Sequence, residues 1–271
     1  MQDLLAPFEI ADYRFLTDLL AGPLGRADDT ATRAALARYE REHTPAARAD
    51  LDDRLERTLR YLGSSDLAYA AREAAGQTPG VTLDELTGDA ARALSITVPA
   101  HLPLRERIEA VVEAHAARTF AGLEPADQQR MLEELGVESQ QAKRFLKTSA
   151  GVFAFPALVT AFETLVVEGL VKRLIFGTIA KFVGRRLSGV LFGALATRMP
   201  WWLRVIGPAA WTLSLGWTLV DLQGPALRKT VPAVLYLGLV SLRARLGAAG
   251  RLGPDQTPLA ALPKPSSSAT G

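Results

Sequence analysis

The feature that most constrains this chain is the length of its uncharged apolar runs, all of which lie in its second half. Val205–Val220 is the longest, with 16 residues, and Gly151–Phe162, Leu187–Thr197 and Thr230–Leu242 are shorter still. A helix that crosses a bilayer needs about 20 such residues, whereas runs of 10–14 suit the core helix of a soluble protein. Two readings therefore stand side by side. The block Trp201–Val234 holds all four tryptophans, Trp201, Trp202, Trp211 and Trp217. Trp201 and Trp202 beside Arg204 have the pattern of an interfacial anchor, where an amphipathic ring sits at headgroup level. Pro208 weakens a continuous helix there, since proline lacks the N–H and clashes with the preceding turn. The other reading is an apolar core. A hairpin buried in solution and moved to a bilayer on demand would satisfy both.

Charge divides the chain at the same place. Residues 1–140 carry 15 arginines, no lysine and 25 acids, a net charge of −10. Residues 141–271 carry 16 Lys or Arg and only Glu163, Glu168, Asp221 and Asp255 as acids, a net charge of +12. An apolar, basic half suits an anionic lipid surface, where each nearby cation contributes about 1 kcal/mol. It equally suits docking on the chain's own acidic half. Nucleic acid ranks well below both, because the aromatics lie inside apolar runs and no recognised nucleic-acid motif is present.

Helical periodicity and its punctuation give the fold class: all-α, a multi-helix bundle with an acidic amphipathic N-terminal half and an apolar, Gly/Trp-rich basic C-terminal half. The regions are 1–140, 141–246, and a disordered tail over 247–271. Helices are expected over 8–21, 31–43 (capped from Asp28, Asp29 or Thr30) and 46–62, the last with Leu51, Leu55, Leu59 and Leu62 on one face. Gly63 stops that helix, and another is expected near 66–75. Thr82-x-x-Glu85 is a capping-box pattern that opens a helix to about Leu94. Ile96–Pro103 reads as an extended connector, followed by helices over 104–120, from Glu124-Pro125 to about Gly136, and over 138–149. Beyond lie Val152–Phe182, a long apolar helix or a bent pair with Pro156 near its start, then Val183–Met199, Trp201–Leu222 and Val231–Leu246.

Reactive constellations are few. Absence of cysteine excludes disulfides, thiolate zinc sites and thiol catalysis. His43, His101 and His115 match no ligand spacing, and His115 reads as a helix-face residue. Asp50, Asp52 and Asp53 lack the glycine turn and distal glutamate of a calcium loop, so Asp50 reads as a helix cap. Glu163 and Glu168, both taken as lying within an apolar helix, fall about 140° apart around it and cannot share one ion. Glu168 is placed to pair with Lys172 one turn on, and Glu163 is read as exposed rather than as a proton-sensitive trigger. Gly189, Gly193 and Thr197 form a small-residue face that permits close helix approach. Asp221 and Arg228 flank the Gly224-Pro225 break, where they can pair and pin a turn between apolar helices. No metal, cofactor or catalytic residue is expected.

The segment Gly224–Leu246, GPALRKTVPAVLYLGLVSLRARL, resembles the C-terminal signature of the bacterial YaaW-like family of uncharacterised proteins, G-x-A-Y-R-x-T-I-P-A-V followed by an apolar helix. Arg228, Thr230 and Pro232 match it; Leu227 and Val231 stand where the family has tyrosine and isoleucine. ADYRFLTDLL near the N-terminus is similar to the family's opening helix. The resemblance implies no particular reaction. It implies a chaperone-like role near membranes, through a link to proteins that help assemble the ubiquinol–cytochrome c reductase complex.

Together these features lead to a non-enzymatic helical protein at the inner face of the cytoplasmic membrane, binding anionic lipid and a protein partner, in the specific form an assembly factor or chaperone. With no basic segment ahead of an apolar run at the N-terminus, a secretory signal is not expected and the cytoplasm is the default. The alternative is a pore-forming or membrane-perturbing effector whose apolar helices insert on a trigger.

Overall fold

A computed structural model describes residues 1–21, 27–64, 76, 80–149, 153–183 and 227–252. Among them the secondary structure is entirely α-helical, in eleven helices, as the periodicity predicts: α1 Gln2–Leu5, α2 Ile10–Leu20, α3 Ala27–Glu42, α4 Pro45–Leu62, α5 Leu83–Ala93, α6 Leu104–Ala121, α7 Pro125–Glu133, α8 Ser139–Ser149, α9 Phe155–Ala161, α10 Thr164–Val183 and α11 Leu227–Leu252.

Local chemistry sets most of the boundaries. Thr44 caps α4 by accepting the Ala47 N–H at 3.2 Å, and Pro45 opens the first turn, where its missing N–H has no intrahelical role. Asp50 is therefore mid-helix rather than a cap, and it pairs with Arg54 at 3.0 Å. Thr82 and Glu85 form the expected capping box: the Glu85 N–H donates to Thr82 Oγ1, and the Thr82 N–H donates to Glu85 Oε2 at 2.7 Å. A second box, Glu9 with Asp12, opens α2. Gly136 ends the turn after α7 with φ +93°, a left-handed conformation that glycine adopts without a Cβ clash.

Several boundaries differ from expectation. Helix α3 begins at Ala27, so the residues read as caps, Asp28, Asp29 and Thr30, lie inside it. The apolar stretch 152–182 resolves into the bent pair α9 and α10, broken at Phe162, whose backbone is extended at φ −132°, ψ 156°. Glu163 therefore precedes α10 rather than lying inside a helix, and it is exposed. Its carbonyl accepts the N–H groups of Val166 and Val167. Among the described residues Glu168 does not pair with Lys172; the cation engaged on that turn is Arg173, bonded to Glu134 at 2.9 Å. Helix α11 starts at Leu227, four residues before the expected Val231, so Pro232 lies within its second turn. It also runs to Leu252, beyond the start expected for a disordered tail.

Helix α11 organises the packing. It contacts α10, α6, α5, α2, α4 and α1, and every residue from Thr230 to Leu242 is buried. That run coincides with the uncharged stretch of the sequence, and a helix apolar all round is one enclosed by its neighbours. Gly238 makes the enclosure possible, since a Cβ there would lie 2.6 Å from Val112 Cγ2 and 2.8 Å from the Ile108 carbonyl oxygen on α6. The buried leucines Leu51, Leu55 and Leu59 of α4, with Leu16, Val112, Leu174 and Leu237, belong to one continuous core that spans both charge-defined halves.

Candidate functional site

The most developed constellation of polar side chains is a pair of clamps that hold α11. Asp12 on α2 is buried, at 4% exposure. One carboxylate oxygen accepts from the Tyr236 hydroxyl at 2.7 Å; the other accepts from Arg243 at 2.8 Å and from the Glu9 N–H at 3.0 Å. The Tyr236 ring is stacked on Phe15 at 4.2 Å between centroids, with Phe8 and Phe176 edge-on at 6.1 and 6.0 Å. Burial, reinforced by the Asp12 charge, raises the tyrosine pKa well above its ordinary value, so the hydroxyl stays a donor.

The second clamp centres on Glu109 of α6, also buried. Its Oε1 accepts from Ser241 Oγ at 2.5 Å and Arg105 Nε at 3.2 Å, while Oε2 accepts from Arg245 Nε at 2.6 Å. Arg105 also donates to Ser241 Oγ at 2.9 Å, and Arg245 reaches on to Glu113. Burial pushes the Glu113 carboxyl above its ordinary value, against the pull of Arg245. At the opposite end of α11, the Lys229 ammonium donates to the Leu20 carbonyl at 2.6 Å, supplying a cation where α2 leaves orphan carbonyls. Acids of the first half thus meet cations of the second: Arg243 with Asp12, and Arg245 with Glu109 and Glu113.

Two smaller polar groups lie elsewhere. Tyr13 donates to Asp52 at 2.6 Å and accepts from Arg48 at 3.1 Å, while Arg48 also donates to the Leu5 and Ala6 carbonyls, tying α4 to the N-terminal turn. His115 of α6 faces α10, with Nε2 2.8 Å from Thr178 Oγ1. Since Thr178 Oγ1 donates to the Leu174 carbonyl, the imidazole Nε2–H donates to it. Desolvation, with the charges of Arg118 and Lys181 adding to it, holds His115 at a pKa of about 4. Burial likewise brings Lys181 down to about 8.

Of the structural and interaction residues expected from Gly189 to Pro232, Arg228, Thr230 and Pro232 are described: Arg228 in the first turn of α11, Thr230 and Pro232 buried against the core. Trp201, Trp202, Gly189, Gly193, Asp221, Gly224 and Pro225 lie outside the described residues, as do the helices expected near 66–75 and through 184–222. Sequence reasoning missed the clamp residues Asp12, Glu109, Tyr236, Ser241, Arg243 and Arg245. The available signal was the acid within an apolar stripe: Asp12 sits one turn before Leu16, and Glu109 lies between Ile108 and Val111. Among the described residues no group of three His, Asp or Glu side chains is arranged to hold a metal ion.

No family model, no curated protein and no solved structure matches this chain.

Proposed function

We propose that this protein is a non-enzymatic helical scaffold that associates peripherally with the cytoplasmic membrane surface and holds a protein partner there, in the manner of an assembly factor or chaperone. One observation carries the reading. Leu227–Ala248 is long and apolar enough to cross a membrane, yet 72% of its apolar window is buried inside the protein. Its polar ties sit at both ends, Lys229 near one and Ser241, Arg243 and Arg245 near the other. Extracting such a helix would strand the Asp12 and Glu109 carboxylates, at several kcal/mol each. Membrane contact is then left to surfaces, where exposed cations of the basic half that are not engaged with acids among the described residues, such as Arg144 and Lys147, supply the attraction. The resemblance of Gly224–Leu246 to the YaaW-like family points the same way.

Fractionation of cells tests the reading. A peripheral protein sediments with membranes at low salt and is released by high salt or alkaline carbonate. Retention after carbonate, together with dye release from anionic liposomes, would favour the pore-forming alternative. Recovery wholly in the soluble fraction at low salt would remove the membrane from the proposal.

A further inference from the structure

The two large apolar side chains exposed among the described residues flank one turn: Val159 on α9, at 40% exposure, and Leu165 in the first turn of α10, at 77%. The rest of the outer face of α9 is also without charge, being formed by Pro156, Ala157 and Thr160. Helix α8 touches the turn between α9 and α10. The Gln141 amide donates to the Ala161 carbonyl at 3.2 Å, and the Phe145 ring meets Phe162 edge-on at 4.7 Å. Those contacts turn Phe145 and Ala142 inward, and helical spacing then puts Lys143, Arg144 and Lys147 together on the outer side, where all three are exposed. Lys143 lies near Glu133, whose carboxyl is held below its ordinary value chiefly by Gln129 and Ser139, with a smaller pull from Lys143. Among the described residues Arg144 and Lys147 form no ion pair. Glu163 is an exposed acid beside the apolar pair.

We infer that the edge built from α8, α9 and the first turn of α10 is the surface that meets an anionic phospholipid bilayer, with Val159 and Leu165 entering the headgroup region and Arg144 and Lys147 taking lipid phosphates. Apolar side chains at a turn, with exposed cations on the preceding helix that form no ion pair among the described residues, match both layers of such an interface, whose acyl boundary takes the apolar side chains and whose negative surface potential takes the cations. The inference rests on the membrane-surface reading above and gives it an address.

The test is sedimentation of the full-length protein with vesicles of phosphatidylcholine alone or with about 30% phosphatidylglycerol, enough anionic lipid for a strong negative surface potential. The wild-type protein binds the anionic vesicles and not the neutral ones. Arg144→Glu/Lys147→Glu weakens binding by more than about tenfold, Leu165→Asp and Leu165→Ser each weaken it, and Glu163→Gln strengthens it. All these positions are exposed, so thermal melts match the wild type, and the two Leu165 variants provide independent readings. Wild-type binding with undiminished binding by the Arg144/Lys147 and Leu165 variants would overturn this assignment and leave the peripheral reading intact. Failure of the wild-type protein to bind anionic vesicles would overturn both. Equal binding to neutral vesicles would overturn the role given to the cations.

Discussion

The Tyr236 hydroxyl donates to Asp12 Oδ1 across 2.7 Å, joining residues 224 positions apart in the chain. Arg243 holds the other oxygen of the same carboxylate. The three groups form a unit around one buried carboxylate: removing Asp12 takes the acceptor from both donors, whereas removing either donor takes one bond from the carboxylate.

A double-mutant cycle measures that coupling. Asp12→Ala is expected to cost about 3 kcal/mol or more, because Arg243 and the tyrosine hydroxyl both lose their acceptor. Tyr236→Phe alone should cost about 1.5 kcal/mol, the value of a hydrogen bond to a charged group. In the Asp12→Ala background the tyrosine substitution should cost much less, giving a clear interaction energy in urea unfolding. Additive effects would mean that the carboxylate and the hydroxyl act separately.

Gly238 supplies a steric prediction. An added Cβ meets Val112 Cγ2 and the Ile108 backbone oxygen, and a carbonyl cannot rotate away as a side-chain tip can. Gly238→Ala should gain helix propensity yet lose stability by about 1–3 kcal/mol through overpacking. A thermal melt lower by about 5 °C is the expected reading. A melt unchanged or raised would show that α6 and α11 can separate at no cost.

His115 makes the protein acid-sensitive. Burial holds its pKa at about 4 in the folded protein, against an ordinary value of 6.5. Between those values the unfolded chain binds a proton that the folded protein refuses. The stabilisation is therefore complete above pH 6.5 and is lost progressively as pH falls towards 4, by about 2–3 kcal/mol for this group. Urea midpoints at pH 7 and pH 5 should differ for the wild-type protein and differ less for His115→Gln. An equal slope in the two proteins would assign the acid sensitivity to other groups.

Thr82→Ala should remove the cap of α5. The Glu85 N–H loses its acceptor, and stability should fall by about 1 kcal/mol in a chemical denaturation curve. Thr82→Ser, which keeps the hydroxyl, should restore most of the loss.

How much of this architecture was legible in the sequence depends on the range over which each feature is set. Local signals could be read directly where the pattern was specific, as in the Thr82-Leu83-Asp84-Glu85 box, Pro125 and the Leu51-Leu55-Leu59 stripe, whereas single acids misled: Asp50 and the Asp28–Thr30 group were read as caps and lie inside helices. The uncharged run Thr230–Leu242 marked an apolar helix but left a protein core and a bilayer as alternatives, because the helices that enclose it lie far away in the chain. Helix α1, by contrast, is a single short turn, and nothing in Gln2–Leu5 distinguishes it from coil. The clamps were illegible for a different reason: Asp12 with Tyr236 and Glu109 with Ser241 are pairings across more than a hundred residues. Opposite net charge in the two halves allowed such pairings without indicating which acid meets which arginine. Glu163 was misplaced because no proline or glycine marks the break, which is the extended backbone of Phe162.

The buried run of α11 also bears on how the protein comes to be folded. Leu16, Val112 and Leu174 belong to the core that α11 completes, yet Leu16 is made more than two hundred residues before its cover. Contacts of that span reward the chain only after long loops have closed, which slows folding and prolongs the exposure of apolar surface. During synthesis the earlier helices therefore lack this central partner until residues 227–246 are available. Soluble yield in a cell should accordingly follow the pace of translation through that interval, and the supply of chaperones that shield it, more closely than the stability of the finished fold.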